Sequence, residues 1–431
     1  MALLSVADAQ ALVLTDARPL PAEDAPLAAA HGRVLAADLA ARRTQPPAAV
    51  SAMDGYAVRA ADVAAAPARL RLIGEVAAGH PFDSPVGAGE AARIFTGGVV
   101  PPGADTIVIQ EHTTREGDTV VVQKPSGPGR HIRAEGLDFR VGDRLLAAGH
   151  RLTARDLALA AAMNYSAVPV HRRAKVAILA TGDELVQPGT TPGHGQIVYS
   201  NGFALAAQVA NEGAEVIDLG IAPDRLDATI AAVRRARELA VDVLVTTGGA
   251  SVGEHDLVQK AFTAEGMVLS FWKIAMRPGR PLMHGRLAHV AAKACPGPDP
   301  GWTPVRREEH APDKESGIDV LGLPGNPVSA FVCGVLFLVP LLRRLAGRRD
   351  LGPDSESAIL GRDLPENDER ADYLRSALAT RDDGTLVATP FPVQDSSMLA
   401  PLAKAGCLVI REPYAPPAKS GSGCTIVKLA F

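Results

Sequence analysis

VDVLVTTGGASVGEHD, Val241 to Asp256, carries an apolar, β-branched run into a glycine loop that ends in acids. Such a run reads as a buried parallel strand, and open α/β sheets bind their ligands beyond the carboxyl ends of their strands. Gly248, Gly249, Ser251 and Gly253 therefore stand at a ligand mouth. Glycines let the backbone come close to a ligand and turn its N–H groups toward it, which suits phosphate, while Glu254 and Asp256 could hold a divalent cation beside it. The loop is neither a Walker A sequence nor GxGxxG, so neither an ATPase nor an ordinary dehydrogenase follows. Read alone, TGG is explained equally well by a plain strand-to-helix turn.

Outward from this stretch, strand and helix text alternate from Ala174 on: AKVAILATG, Ser200 to Gly213, EVIDLGI, then Arg225 to Ala240. That alternation predicts a mostly parallel sheet covered on both faces, a domain over residues 174–346. Within it, the apolar stretch Ala330 to Leu342 contains Pro340, is too short to span a bilayer, and reads as a buried helix. Residues 287–317, rich in proline and mixed charge, read as an exposed loop insertion. Earlier in the chain, RLRLIGEV, ARIFTG, DTIVIQE and DTVVVQK are short strands between Gly and Pro turns, a β-rich domain over residues 47–133. Residues 1–46 and 134–173 flank it and predict one elongated stem, with an amphipathic helix at the start, a short helix around Pro26 to Leu35 and another over Thr153 to Ala162. DYLRSALA, LVATPF, GCLVIRE and CTIVKLAF predict a small antiparallel β domain over residues 347–431.

With 431 residues the chain is long enough for three or four domains, and 47% hydrophobic content is ample for several cores. A net charge of -4 gives no argument for nucleic acid or a membrane surface as partner. Cys295, Cys333, Cys407 and Cys424 lack CxxC spacing, which speaks for cytosolic free thiols rather than a zinc site or disulfide framework. The start of the chain lacks a basic leader segment, so the expected location is cytoplasmic.

Three more segments share the chemistry of the opening stretch: SAMDGYAVR (Ser51 to Arg59), TGDEL (Thr181 to Leu185) and LPGNPVSA (Leu323 to Ala330). In this order, with TTGGASVGEHD between the last two, the chain closely resembles the molybdopterin molybdenumtransferase family, which includes bacterial MoeA and the E domain of gephyrin. The resemblance runs from about Ala22 to the carboxyl terminus. It implies a multidomain α/β plus β fold: a three-layer αβα molybdopterin-binding domain, a β-rich inserted domain, a mixed helical stem and a small β-barrel-like domain at the C-terminus. It also implies insertion of molybdate into adenylated molybdopterin with release of AMP, using a divalent metal, here expected to be Mg²⁺.

Carried over residue by residue, the resemblance places Asp54, Thr96, Asp138, Glu184, Asp224 and Asp256 in the catalytic set, with Glu184 and Asp256 as metal ligands. Hard carboxylate oxygens suit Mg²⁺. For Glu184 a helix-start carboxylate, and for Asp224 an N-cap, are the plainer readings. Thr181, Gly182, Asp183, Gly248, Gly249, Ser251, Pro324, Asn326, Pro327 and Ser329 are implied to hold the pterin adenylate. LPGNP should also leave the N–H groups of Val328, Ser329 and Ala330 free for an anion. Lys273, Arg277, Arg280, Arg375 and Ser396 are implied to take molybdate; Arg277 and Arg280 stand where relatives usually carry lysine, which keeps charge but alters geometry.

Asp54, Thr96 and Asp138 lie far in sequence from the α/β loops, and in relatives they complete the partner subunit's site. A homodimer with composite sites is thus implied, with a molybdopterin adenylyltransferase and apo-molybdoenzymes as further partners. Two departures, TGGVVP for TGAPVP and Leu137 where an acid commonly precedes the aspartate, bear on fine geometry. Two alternatives stay open: a molybdopterin adenylyltransferase, which the α/β domain alone resembles, and a non-catalytic scaffold like the gephyrin E domain.

Overall fold

The computed structural model describes residues 3–248, 257–288 and 317–429. Its central sheet contains β1 (Lys175–Thr181), β2 (Glu215–Ala222), β3 (Val243–Thr247), β4 (Val268–Lys273), β5 (Pro281–Ala288) and β6 (Gly317–Leu323). The order is β2-β1-β3-β6-β5-β4. The first four are parallel, and β5 runs antiparallel to β6 and β4. Every residue of β3 is buried, as its β-branched text requires of a strand covered on both faces. On one face lie Asn201–Asn211 and the helix beginning at Pro327; on the other, Leu226–Glu238 and Leu257–Ala264 pack through Val233, Ala236, Val258 and Phe262. Three αβα layers result.

The first helix, Val6–Thr15, departs from the stem assignment. Val6, Ala9 and Val13 enter the α/β core beside Leu336 and Leu341, and Leu4 bridges to Ile274. Its companion is the apolar helical run Pro327–Leu345, longer than the Ala330 to Leu342 stretch suggested, 19 residues of mean hydropathy 1.9 and 89% buried within the fold. A helix apolar on all sides belongs in a core. Pro340 has no N–H to give the carbonyl of Leu336 four residues earlier. The Gln10 amide supplies the missing donor at 2.9 Å. That bond explains why a segment over 300 residues away packs here.

The stem itself is more strand than helix. Ala22–Pro26 pairs with Ala167–His171, and Leu39–Ala40 with Arg144–Leu146. The short helix expected around Pro26 to Leu35 is a single 3-10 turn, Leu27–Ala29, after which Gly32 (φ +73°) turns the chain. Ala154–Ala162 is helical, its start fixed by reciprocal Thr153–Asp156 hydrogen bonds. The β-rich module is a six-stranded sheet built from Gly55–Val58, Ala68–Val76, Glu90–Ile94, Thr106–Ile109, Thr113–Glu116 and Thr119–Val122, with a small core on each face.

At the C-terminus, Ser355–Leu360, Ala371–Thr380, Leu386–Pro390, Cys407–Arg411 and Gly423–Lys428 close into a barrel, because Ala371–Thr380 pairs with both Leu386–Pro390 and Cys407–Arg411. Met276–Arg277 adds to it alongside Ala371–Asp372, tying the barrel to the α/β layer. The expected insertion is narrower than 287–317: β5 and β6 stay paired to Ala288 and Gly317, so Leu287, Ala288 and Gly317 are strand residues, and 289–316 lie outside the described residues.

Candidate functional site at the carboxyl ends of the parallel strands

β1, β2, β3 and β6 deliver their following loops to one edge of the sheet. After β1 comes Gly182, whose N–H donates to the carbonyl of Ala222 at the end of β2 (3.3 Å). Glu184 folds back over it, so that a Cβ at Gly182 would lie 2.5 Å from Glu184 Oε2. No helix follows: Leu185–Val186 forms a two-stranded ribbon with Ile197–Val198, so the helix-start reading of Glu184 does not hold. Asp224, after β2, donates its backbone N–H to Asp183 Oδ1 at 3.1 Å. The N-cap of the next helix is Arg225, so Asp224 is not the cap. Loss of water around its carboxyl, then the charges of Asp183 and Glu184, raise the Asp224 pKa, against a hydrogen bond from the Asp183 backbone that lowers it.

A raised carboxylate pKa means the folded state holds this proton more tightly than the unfolded chain. The ionised group therefore costs stability as pH rises through that elevated pKa, and the cost persists at neutral pH. Asp224→Asn is expected to melt at a higher temperature than wild type at pH 7, with the difference vanishing in acid, while activity falls. An unchanged or lower melting temperature at pH 7 would show that the site is not electrostatically loaded.

Thr181 and Thr246, at the ends of β1 and β3, are buried, and their hydroxyls have no hydrogen-bond partner among the described residues. Gly248 has φ +88°, and a Cβ there would meet the carbonyl oxygen of Thr181 at 2.3 Å, so β3 can leave the sheet this close to β1 only through glycine. Gly249, Ser251 and Asp256 lie outside the described residues.

The turn after β6 comes near Gly248: a Cβ on Gly325 would be 3.7 Å from the Gly248 Cα. Asn201 Nδ2 donates to the Gly325 carbonyl at 2.7 Å, a site residue that no sequence motif marks. Its only signal was a polar residue opening an amphipathic helix. Pro327 is the first residue of the core helix, Pro324 leads into the turn, and Ser329 is buried. The three free donors expected here are reduced. Val328 N–H donates to the Ser396 carbonyl (3.1 Å) and Ala330 N–H to the Asn326 carbonyl (2.9 Å), while Asn326 Nδ2 donates to Ser396 Oγ (2.9 Å).

The five residues assigned to molybdate separate into two groups. Lys273 and Arg280 are exposed; the Lys273 ammonium lies 5.6 Å from the Trp272 ring centroid, and the Arg280 side chain has no partner among the described residues. Arg277 is committed instead to Asp372 (Nε–Oδ1 2.8 Å) and Asp368 (3.1 Å), which hold its pKa up and join barrel to sheet. Arg375 is 1% exposed, and its guanidinium donates to the carbonyls of Met398 and Asp395, each at 2.8 Å. With its donors spent on that loop, Arg375 shapes the segment carrying Ser396 rather than presenting itself to an oxyanion. Gln394, also missed in the sequence, braces it by accepting from the Arg375 backbone N–H at 3.0 Å.

In the β-rich module, Thr96 donates both its backbone N–H (2.7 Å) and its hydroxyl (2.8 Å) to Asp54 Oδ1. The backbone bond first, then the hydroxyl, holds the Asp54 carboxyl below the usual range, so it is ionised at neutral pH. Asp138 is exposed, its backbone N–H bonded to the Gln45 carbonyl at 3.0 Å. Among the described residues, no hydrogen bond or ion pair joins residues 47–133 to residues 174–429. Met53, Leu137 and Val141 are exposed beside these acids, and Ile197, Val198 and Phe203 are exposed beside the α/β loops.

No three His, Cys, Asp or Glu side chains among the described residues form a ready metal cage. The donor set at Asp183, Glu184 and Asp224 is all hard oxygen, which fits a Mg²⁺ held by one or two carboxylates with the rest of its shell from water and substrate phosphate.

Comparison with known proteins accords with this geometry. Residues 4–164 match the MoeA N-terminal region (domain I and II), 177–344 match the "Probable molybdopterin binding domain", and 357–429 match the MoeA C-terminal region (domain IV). A molybdopterin molybdenumtransferase of Haemophilus influenzae is 32% identical over 95% of this chain and 94% of its own length. One from a Nostoc species is 38% identical over 74% and 68% respectively. The crystal structure of a molybdopterin biosynthesis MoeA protein from Pyrococcus horikoshii superposes with a TM-score of 0.80, at 28% identity, covering 100% of both chains. The chain belongs to the molybdopterin molybdenumtransferase (MoeA) family.

Proposed function

We propose that this chain inserts molybdate into adenylated molybdopterin and releases AMP, yielding the molybdenum cofactor. The observation that carries the reading is the acid cluster of Asp183, Glu184 and Asp224 at the strand ends, beside the Gly248 and LPGNP turns. Carboxylates that repel one another, with glycines that admit a backbone-close ligand, suit a phosphoanhydride accompanied by a divalent cation. A cation held by Glu184, with Asp256 as the second ligand implied by the family, would neutralise phosphate charge during cleavage. The chain's own contribution is to orient the anhydride: Gly248 leaves room for it, Asn201 fixes the Gly325 turn, and the exposed Lys273 and Arg280 offer positive charge to the tetrahedral oxyanion. An adenylyltransferase would need the α/β layer alone. The ionised Asp54 and its Thr96 clamp serve no purpose in that reading, nor in a scaffold.

The working unit we propose is a homodimer in which Asp54, Thr96 and Asp138 of one protomer complete the α/β site of its partner. Two polar clusters, each bordered by exposed apolar residues and joined by no hydrogen bond or ion pair among the described residues of one chain, support this arrangement. The test is complementation. Asp54→Asn and Glu184→Gln should each be inactive alone, and an equimolar mixture after subunit exchange should regain about a quarter of wild-type AMP release, because half the dimers then carry one intact site of two. No recovery with exchange demonstrated by mass spectrometry would rule out composite sites.

A further inference from the structure

Between the helix Asn201–Asn211 and the open edge strand β2 lies a cavity of about 120 Å³, lined by Ile178, Tyr199, Gly202, Phe203, Ala206, Val216 and Asp218. It is separate from the acid cluster at the strand ends, and of its lining residues only Phe203 was named above, among the exposed apolar residues beside the α/β loops. Its walls are apolar except at two points. Tyr199 is 4% exposed, yet its hydroxyl has no hydrogen-bond partner among the described residues. The hydroxyl stands over Gly202, where a Cβ would come within 1.6 Å of it, so the missing side chain at Gly202 makes the space. Asp218 spends one carboxylate oxygen on the Gly220 N–H at 2.8 Å and leaves the other without a partner among the described residues.

The two groups feel each other without bonding. Burial first, then the Asp218 charge, pushes the Tyr199 phenol up to about 12, so it stays a protonated donor. Phe203, 59% exposed, tilts against the Tyr199 ring with centroids 5.9 Å apart and forms an aromatic rim. A buried hydroxyl left without a hydrogen bond is destabilising, and a suitable occupant would relieve that cost.

We propose that this cavity binds a small planar cyclic amide, whose carbonyl accepts from the Tyr199 hydroxyl while the neighbouring N–H donates to Asp218 and the ring packs against Phe203, Ile178 and Val216. Donor–acceptor complementarity selects the edge, and apolar walls of single-ring size select the body. An apolar ring lacks the polar edge, and a cation lacks the acceptor.

The probe is uracil, added to the purified full-length protein and followed by calorimetry and by a crystal soak. Binding to wild type should weaken about tenfold in Tyr199→Phe, the loss of one buried hydrogen bond, and disappear in Ala206→Leu, which fills the cavity. Benzene of the same size should bind no more tightly to wild type than to Tyr199→Phe. Melting curves and AMP release, both expected to be unchanged in Ala206→Leu, confirm a folded protein. Absence of uracil binding to wild type, binding that survives in Ala206→Leu, or a soaked crystal with only water between Tyr199 and Asp218 would each overturn the proposal.

Discussion

Gly248→Ala should cut AMP release at least about a hundredfold and leave the melting temperature of the barrel domain unchanged. Two effects act together at this position. The residue sits at φ +88°, where an L side chain adds about 1 kcal/mol of strain, and the new methyl would lie 2.3 Å from the backbone oxygen of Thr181. A backbone oxygen cannot rotate aside, so the end of β3 must pull away from β1, with which it is paired through Ala180 and Thr247. Displacement of a positioning loop by about 1 Å is enough for a hundredfold loss of rate. The matched control is Gly421→Ala in the barrel. Gly421 has φ +86°, but a Cβ there meets nothing within 4 Å. That variant shares the conformational strain without the collision, and it should keep full activity. Equal losses in both variants would show that backbone strain, not geometry at the β1–β3 mouth, is responsible.

Glu212→Gln should destabilise the α/β layer by about 3 kcal/mol. Glu212, whose side chain is 2% exposed, stands just after the helix Asn201–Asn211 and accepts from Arg343 at 3.2 Å and from Arg348 at 2.8 Å. Both guanidinium groups are largely buried where the core helix gives way to the barrel. The amide keeps the shape and removes the charge. Two buried cations then lose their shared anion, and although Asp350 pairs with Arg348 and Asp354 approaches Arg343 at 3.6 Å, those acids are exposed and screened. Thermal melts of the variant should show the early loss of α/β structure at neutral pH. A melting temperature equal to wild type would mean the arginines find equivalent partners, and the ion triad would then carry no share of domain cohesion.

Strands of the β-rich module, of the barrel and of the start of the central sheet were legible because their texts alternate or run apolar, whereas the stem, expected to be helical, pairs Ala22–Pro26 with Ala167–His171 and Leu39–Ala40 with Arg144–Leu146. What the pattern does not specify is the surface that covers an element. Val6–Thr15 reads as amphipathic, but nothing local says that its apolar side meets a helix more than 300 residues later, where Gln10 replaces the donor Pro340 lacks. The motif acids and glycines of the site are readable because strand ends need such residues to meet ligands. Asn201 and Gln394 are single polar residues without a motif, and their roles exist only in the folded chain. Arg375 shows the converse. An arginine in strand text looks available for an anion, and only the return of the loop carrying Gln394, Asp395 and Met398 reveals that its donors are used. Charge is visible in a sequence; the desolvation and hydrogen bonding that decide its use are not.

Purified protein supplied with adenylated molybdopterin gives the most direct measurement: AMP release with and without molybdate and Mg²⁺, for wild type and Glu184→Gln. Transferase chemistry at the strand-end acids predicts release by wild type that requires both additions and falls at least about a hundredfold in the variant. Wild type that binds the adenylate yet releases no AMP under any of these conditions, or a Glu184→Gln variant as fast as wild type, would contradict it.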